Sequence, residues 1–469
     1  IKLDPNKCIR CGRCVNTCAE ILNVSALGFV NRGFRTIVKP ALEKPLGETN
    51  CVSCGNCIDT CPTGAIDNHF PFGKPGPWLT TEHESVCGFC GVGCKMVFNK
   101  KDEDLWFVTA KGPNPHQDGE LCLRGRFGHA FLRDPQRITS ASMGQGKDRK
   151  TVTIDNAIDK TIAGLATVAK KHGTASVAVL VSPKVTNEEA FLLSQIAREG
   201  LHTSNLGSLA HLNALPHKLE TSLGLDASTV TRAQVEQADV IVVLNSEPVD
   251  ENPVLSFGIH RALKHGATIV TIGPNETRLA RVASLHIATK PGSTGVLLHA
   301  VALMMVSIGK TSTEALGRIS GDSMDNLLNL AGPPVQKATS VELEMVVKLA
   351  RLIAEPQAKV VVICQRDSLL DRSSELVDAA TNLLLLAGKI GTEGSGLLLS
   401  RSHCNAQGLI DLGISPEGCR ASKTADLTGA NTSAELATWL EQGKCKGLLI
   451  VGEDPAALKT YSKLLRNAE

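Results

Sequence analysis

The chain has 469 residues, with 49 Lys and Arg against 47 Asp and Glu for a formal net charge of +2, and only 3% aromatic residues. So even a balance gives no electrostatic case for nucleic acid or a membrane surface, and so few rings argue against stacking platforms for single-stranded nucleic acid. Length alone sets a prior of about three domains. There is no low-complexity tract, and no apolar run reaches the roughly 18 residues that span a bilayer.

The chain opens on KCIRCGRCVNTC, Lys7 to Cys18, and the pattern returns in CVSCGNCIDTCPTG from Cys51, each copy reading C-x2-C-x2-C-x3-C. Three cysteines at intervals of three in a short loop aim three thiolates at one compact object. That suits a cubane cluster better than a tetrahedral ion, and the fourth cysteine faces away. In the two-cluster ferredoxin pattern this fourth residue serves the other cluster. One 4Fe-4S centre is therefore expected on Cys8, Cys11, Cys14 and Cys61, and a second on Cys51, Cys54, Cys57 and Cys18. Zinc knuckles or a disulfide framework are the alternatives. A two-cluster ferredoxin domain is expected over 1–70, followed by a linker at 71–78 inside the proline- and glycine-rich HFPFGKPGPW, His69 to Trp78.

Next come CGFCGVGC, supplying Cys87, Cys90 and Cys94, and LCLRGRFG, supplying Cys122 after 27 intervening residues. Four soft thiolates with one remote member fit a third 4Fe-4S cluster, with a four-thiolate zinc site as the alternative, in a domain over 79–150. These sets take twelve of the sixteen cysteines; Cys364, Cys404, Cys419 and Cys445 are expected to be small, buried and apolar. With the thiols matched, His69, His83, His116 and His129 are expected at the surface or behind the ligands. Lys7, Arg10, Arg13, Arg124 and Arg126 lie near cluster cysteines, where they either raise cluster potentials or form a solvated docking face. Clustered thiols kept free for metal imply a reducing, cytoplasmic compartment. A start at Ile1 without methionine leaves room for upstream sequence.

From Thr151 to residue 469 the pattern alternates β-rich apolar runs with amphipathic helical stretches, the signature of parallel, doubly wound α/β layers. Strands are expected at SVAVLVS from Ser176, ADVIVVLNS from Ala238, ATIVTIG from Ala267, AKVVVIC from Ala358 and KGLLIVG from Lys446. Helices are expected from Asn187, Val254 and Val341. The loop NSEPVDENP, Asn245 to Pro253, follows a strand at the edge where such folds bind ligands; an ordinary strand-to-helix turn reads equally well. GKIGTEGSG, Gly388 to Gly396, follows a helix and is expected to be a C-cap and turn rather than a phosphate cradle.

Across essentially its whole length the chain resembles the molybdopterin oxidoreductase superfamily, in the branch of NAD-linked formate dehydrogenase α subunits and the large iron-sulfur subunit of complex I. The double ferredoxin with SALGFVNRGF between its halves, CGFCGVGC and LCLRGRFG carry the resemblance, together with the stretches beginning at Ala238, Leu383 and Gly447. It implies an N-terminal two-cluster ferredoxin domain, a 4Fe-4S domain and doubly wound α/β domains, the last incomplete and without the C-terminal barrel. It also implies a molybdenum or tungsten ion on two pterin guanine dinucleotides in catalytic members, with Asn245, Asn405, Arg124 and Arg401 as cofactor-binding positions. The implied partners are a flavin- and NAD(P)-binding iron-sulfur subunit, a thioredoxin-like 2Fe-2S subunit and a ferredoxin.

In the formate enzymes the metal takes a cysteine or selenocysteine followed by histidine. The matching stretch, HTSNLGSLAHLNALPH from His202 to His217, has no cysteine, and the ligand position falls on Ser208 or Leu209. Arg124 replaces the usual lysine between cluster and pterin, a nonconservative exchange. Thr294 and Gly273 to Asn275 stand where the family carries carboxylates near guanine. A relay subunit with a decayed metal site is therefore expected, with no catalytic residue assigned; the alternative is a working formate dehydrogenase α subunit using Ser208.

Overall fold

The computed structural model describes residues 1–68, 77–112, 119–144, 146–210, 219–312, 333–365, 373–415, 418–419 and 433–455. The expectations on His69, His116, most of the 71–78 linker, residues 211–217 of the metal-ligand stretch, the Cys419 side chain and the last residues lie outside them. The chain divides into two compact units.

The first unit comprises Ile1–Arg133, Ser228–Arg366 and Glu375–Ser402. Its cysteine repeats fold into two equivalent loops. Gly12 (φ 75°) caps the short helix Arg13–Asn16, Gly55 (φ 74°) caps Asn56–Asp59, and two residues ahead Arg10 (φ 58°) and Ser53 (φ 52°) are also left-handed. Left-handed residues two apart curl each loop so that successive thiols point inward. Lys2–Leu3 pairs antiparallel with Ile66–Asp67, closing the ends of the ferredoxin segment, and a hairpin of Gly28–Val30 against Ile37–Lys39 stands between the two halves.

A three-stranded antiparallel sheet follows, Thr81–Val86, Lys95–Lys101 and Asp104–Ala110, with a register shift at Asn99/Lys100. The α/β part is a five-stranded parallel sheet in the order Leu285–Ala288, Thr268–Gly273, Val240–Leu244, Val360–Gln365, Gly396–Ser400. Every residue of Val240–Leu244 and Val360–Gln365 is buried, as central strands covered on both faces must be. Ile241, Val243, Ile269, Val361 and Ile363 pack with Ile259 of the helix Pro253–Lys264, each burial stabilising by about 1.5–3 kcal/mol. The GKIGTEGSG segment behaves as a C-cap. Gly388 (φ 67°) ends the helix Ser373–Leu386, and the amides of Gly388 and Lys389 return to the carbonyls of Leu385 and Leu384. The strand Gly396–Ser400 follows it, an element with no counterpart among the strands expected from the sequence.

The second unit comprises Asp134–Ala227, Asp367–Ser374 and His403–Glu469. Its core is a parallel sheet of Leu206–Gly207, Val177–Val181 and Gly447–Val451, with the wholly buried Val177–Val181 in the middle. The helix Ile154–His172 begins at Thr153, whose side chain accepts from Asn156, and Asn187–Gln195 begins with a Thr186/Glu189 capping box. Among the described residues no helix is long and apolar enough to cross a membrane.

Candidate metal centres and the adjoining crevice

Within the ferredoxin segment the eight thiols separate into two groups of four, each lining its own cavity. Cys8, Cys11, Cys14 and Cys61 line one, with Val38, Pro62 and Ile66. Cys18, Cys51, Cys54 and Cys57 line the other, with Leu22, Val24 and Leu46. Each cavity thus draws three cysteines from one repeat and the remote fourth from the other. Cys87, Cys90, Cys94 and Cys122 are all buried, and the amide of Cys87 donates to the carbonyl of Cys94 at 2.8 Å. Cys18, Cys54, Cys87, Cys94 and Cys122 belong to one packed apolar cluster, while Cys14 packs in a neighbouring cluster that Cys57 also touches. The second and third thiol sets thus share one apolar cluster, and the first adjoins the second through Cys14 and Cys57. Among the described residues no three His, Cys, Asp or Glu side chains close to the spacing of a single ion's ligands; the thiols ring cavities instead.

Electrostatics favour a cationic guest. Burial pushes the Cys14 thiol up to about 11, against the opposing amide of Val15, and Cys54 likewise to about 11 despite the Asn56 amide and the Arg126 charge. Cys57 is raised by burial and then by Cys54 and Cys18, and Cys94 by burial and then by Cys90, Cys87, Cys122 and Glu120. Cys61 is also pushed up by burial, yet amides of Ile66 and Thr63 and the Thr63 hydroxyl outweigh it and leave the thiol lowered. Crowded, buried thiols of this kind ionise readily only around a positive core, so the donor sets fit iron-sulfur clusters.

The second and third thiol sets are joined by a hydrogen-bonded clamp that sequence reasoning missed. Asn56, between Cys54 and Cys57, donates to the Leu121 carbonyl at 2.9 Å and accepts from its amide at 3.0 Å. Arg126, four residues past Cys122, donates to the Cys54 carbonyl at 2.8 Å, to Asn56 Oδ1 at 2.8 Å and to the Asp59 carboxylate. Arg126 is buried, which corrects the solvated docking face offered for it and leaves its charge beside Cys54. Gly55 makes room: a Cβ there would meet Arg126 Cδ at 2.4 Å. His129 is buried as well, its Nε2 2.9 Å from the Gly125 carbonyl and its ring between Phe89 and Phe98, whereas His83 is exposed.

Beyond the third set lies the carboxyl edge of the five-stranded sheet. Strand order reverses between Val240–Leu244 and Val360–Gln365, the position where doubly wound sheets open a ligand crevice. Asn245, left-handed at φ 45°, follows the first of these strands; its Oδ1 accepts from the Thr294 hydroxyl at 2.9 Å. Arg124 is exposed and donates to the Asp250 carbonyl. Arg401 is buried, and its carbonyl accepts from the Gly91 amide at 2.9 Å and from Asn252 Nδ2 at 3.1 Å. Asn252 also takes the Ser400 hydroxyl and hydrogen-bonds Cys90. Arg124, Asn245 and Arg401 thus surround one edge together with the third thiol set, and Asn252 and Ser400 are the connecting residues that the sequence did not single out.

In the second unit Ser208 is fully buried. Its hydroxyl donates to Glu453 Oε1 at 2.9 Å, and the Leu209 amide donates to the same oxygen at 3.1 Å. Burial raises Glu453, with Ser208 and Leu209 opposing. Asn405 donates from its side chain to the Val185 carbonyl at 2.8 Å. Cys364 and Cys445 are buried as expected; Cys404 is only half-buried, its thiol 3.6 Å from the Pro183 carbonyl.

Residues 1–67 match the NADH-quinone oxidoreductase subunit 3 ferredoxin-like domain, residues 80–134 the molybdopterin oxidoreductase Fe4S4 domain and residues 150–466 the molybdopterin oxidoreductase family. The chain is 28% identical to the NADPH-Fe(3+) oxidoreductase subunit alpha of Geobacter sulfurreducens, covering 100% of this chain and 56% of that one. It is 25% identical to a putative formate dehydrogenase of Bacillus subtilis, over 97% of this chain and 53% of the relative. To the F420-dependent formate dehydrogenase subunit alpha of Methanocaldococcus jannaschii it is 25% identical, over 71% and 49%. The chain thus spans about half the length of the curated relatives it matches. Among solved structures, acetylene hydratase from Pelobacter acetylenicus gives a TM-score of 0.53 over 66% of this chain and 44% of that one at 13% identity, a likeness of fold alone.

Proposed function

The chain belongs to the molybdopterin oxidoreductase family, and we propose that within it this chain is an iron-sulfur electron-transfer subunit of a multisubunit NAD(P)H-linked oxidoreductase complex, on a scaffold whose own metal site has decayed. The observation that carries the proposal is the presence of three four-thiol sets within one unit, adjoining through shared apolar clusters. Bound there, 4Fe-4S clusters supply one-electron chemistry at potentials set by charge, hydrogen bonds and exposure. The protein's own part is positional. Curled loops hold the thiols, amides of Thr63 and Ile66 stabilise the Cys61 thiolate, and Asn56 with Arg126 fixes the second set against the third.

The decay of the metal site is supported by chemistry at Ser208. A hydroxyl that donates to a buried carboxylate is held as an alcohol, not as the alkoxide a metal needs. The partners fit the same reading: a flavin- and NAD(P)-binding iron-sulfur subunit that splits a hydride into single electrons, a thioredoxin-like 2Fe-2S subunit and a ferredoxin. The likeness to the NADPH-Fe(3+) oxidoreductase subunit points the same way.

A second reading, a formate dehydrogenase α subunit, draws on the formate dehydrogenase relatives and on Arg401 beside the crevice. Metal analysis of the anaerobically purified native complex separates the two. The relay reading expects about twelve irons per copy of this chain, three sets of four, after subtracting those of partner subunits, with neither molybdenum nor tungsten. Either heavy metal near one per chain would overturn it.

A further inference from the structure

Of the twelve cysteines in the three thiol sets, Cys11 alone is exposed. The surface around it has an unusual composition. Arg10 reaches across to the hairpin and donates to the Phe34 carbonyl at 2.6 Å, and the Phe29 ring lies against Gly12, 3.5 Å from where a Cβ would stand. The hairpin tip and the Cys11 loop therefore form one continuous face. On it Phe34 is 97% exposed and Ile9 63%, interleaved with exposed Arg10, Arg32 and Arg35. Aromatic and arginine side chains left in water side by side are the composition of interface anchors, not of an ordinary solvated surface.

Charge says what kind of partner fits. Residues 1–44 hold eight Lys and Arg against three Asp and Glu, a surplus of five (8 − 3), so the remaining chain is net negative by three (2 − 5). Two of those three acids, Glu20 and Glu43, are already paired with Lys264 and Lys39. Arg10, Arg32 and Arg35, all exposed, thus give the face beside Cys11 a local positive surplus. Fields of this kind speed the encounter of oppositely charged proteins and are screened by salt.

We propose that the face formed by Ile9, Arg10, Phe29, Arg32, Phe34 and Arg35 around Cys11 is the docking surface for an acidic one-electron carrier protein, which exchanges electrons with the chain through the Cys11 edge. This rests on the relay reading. One electron leaves the carrier's reduced centre and enters the first thiol-held centre, with no bond made or broken.

The test uses the native complex with wild-type chain, R32E/R35E and F34S, none of which alters a thiol. Reduction of the iron-sulfur absorbance is followed by stopped flow with a reduced acidic two-cluster ferredoxin, and separately with a reduced viologen that needs no docking. The expected result is a ferredoxin rate that falls about tenfold between low and high salt in wild type and about tenfold in R32E/R35E at low salt, with a smaller loss in F34S. Viologen rates should stay equal in all three, which shows the centres intact. Equal ferredoxin rates in wild type and R32E/R35E would overturn the docking surface while leaving the relay standing. So would a face that binds anionic-lipid vesicles and loses that binding in R32E/R35E without any change in ferredoxin rate. Failure of viologen to reduce any centre in wild type would instead sink the relay reading, and the docking inference with it.

Discussion

The side chain of Asn56 and the backbone of Leu121 exchange two hydrogen bonds, 2.9 Å to the Leu121 carbonyl and 3.0 Å from its amide, across 65 residues of sequence. Leu121 precedes Cys122 and is fully buried, so this pair registers the second thiol set against the third. Asn56→Leu keeps the branched shape but strands the buried Leu121 amide and carbonyl and an Arg126 N–H, at about 1–3 kcal/mol each. The first thermal transition of the iron-loaded protein is expected to fall by roughly 5–10 °C. Magnetic coupling between the second and third centres should weaken in EPR. An unchanged transition and unchanged coupling would show that the pair positions nothing.

The two equivalent glycines should not be equally tolerant. Gly12 and Gly55 share the left-handed conformation, and alanine costs about 1–2 kcal/mol at either for that reason. At Gly12 a Cβ finds the Phe29 ring at 3.5 Å, ordinary contact; at Gly55 it would press Arg126 Cδ at 2.4 Å. Gly55→Ala is therefore expected to lose iron and thermal stability well beyond Gly12→Ala, as measured by iron content and calorimetry. Equal losses would contradict the clamp geometry.

Much of this architecture was legible because its signals are local. Cysteine spacings report loop geometry within a dozen residues, and the parallel strands appear as unbroken β-branched runs such as Val240–Leu244, buried on both faces. The antiparallel sheet at 81–110 was not read, because its strands mix Lys, Asn and Glu with apolar residues over a partly exposed surface. Arg126 looked like one more basic residue beside a cluster; that it is buried depends on Asp59 and Asn56, 67 and 70 residues away. The Ser208–Glu453 contact spans 245 residues and has no local signature at all.

Buried charge beside the third set should tune its potential. Glu120, buried and paired with Arg261 at 3.3 Å, is among the groups that raise the Cys94 thiol. Glu120→Gln removes a negative charge and should raise that centre's midpoint by on the order of 50 mV in an EPR-monitored redox titration, leaving the first centre unmoved. A midpoint that stays or falls would contradict this.

Glu453 gives a pH signature with a definite sign. Burial raises its folded value, so the native state holds this proton more tightly than the unfolded chain. The resulting penalty is absent below the usual carboxylate range, grows as pH rises through it and is complete above the raised folded value. Glu453→Gln should therefore flatten the loss of thermal stability between about pH 4 and pH 7. An unaltered slope would mean that the carboxylate is not strained by burial. Ser208→Ala should leave the metal content of the complex untouched; loss of a heavy metal in that variant would make Ser208 a ligand.

Low-temperature EPR of the native complex, recorded after anaerobic addition of formate alone and then of NAD(P)H, separates relay from catalyst most directly. The expected result is that formate leaves the centres oxidised, NAD(P)H reduces them through the flavin partner, and no molybdenum or tungsten signal arises. Reduction by formate accompanied by a heavy-metal signal would contradict the relay and return the chemistry to this chain.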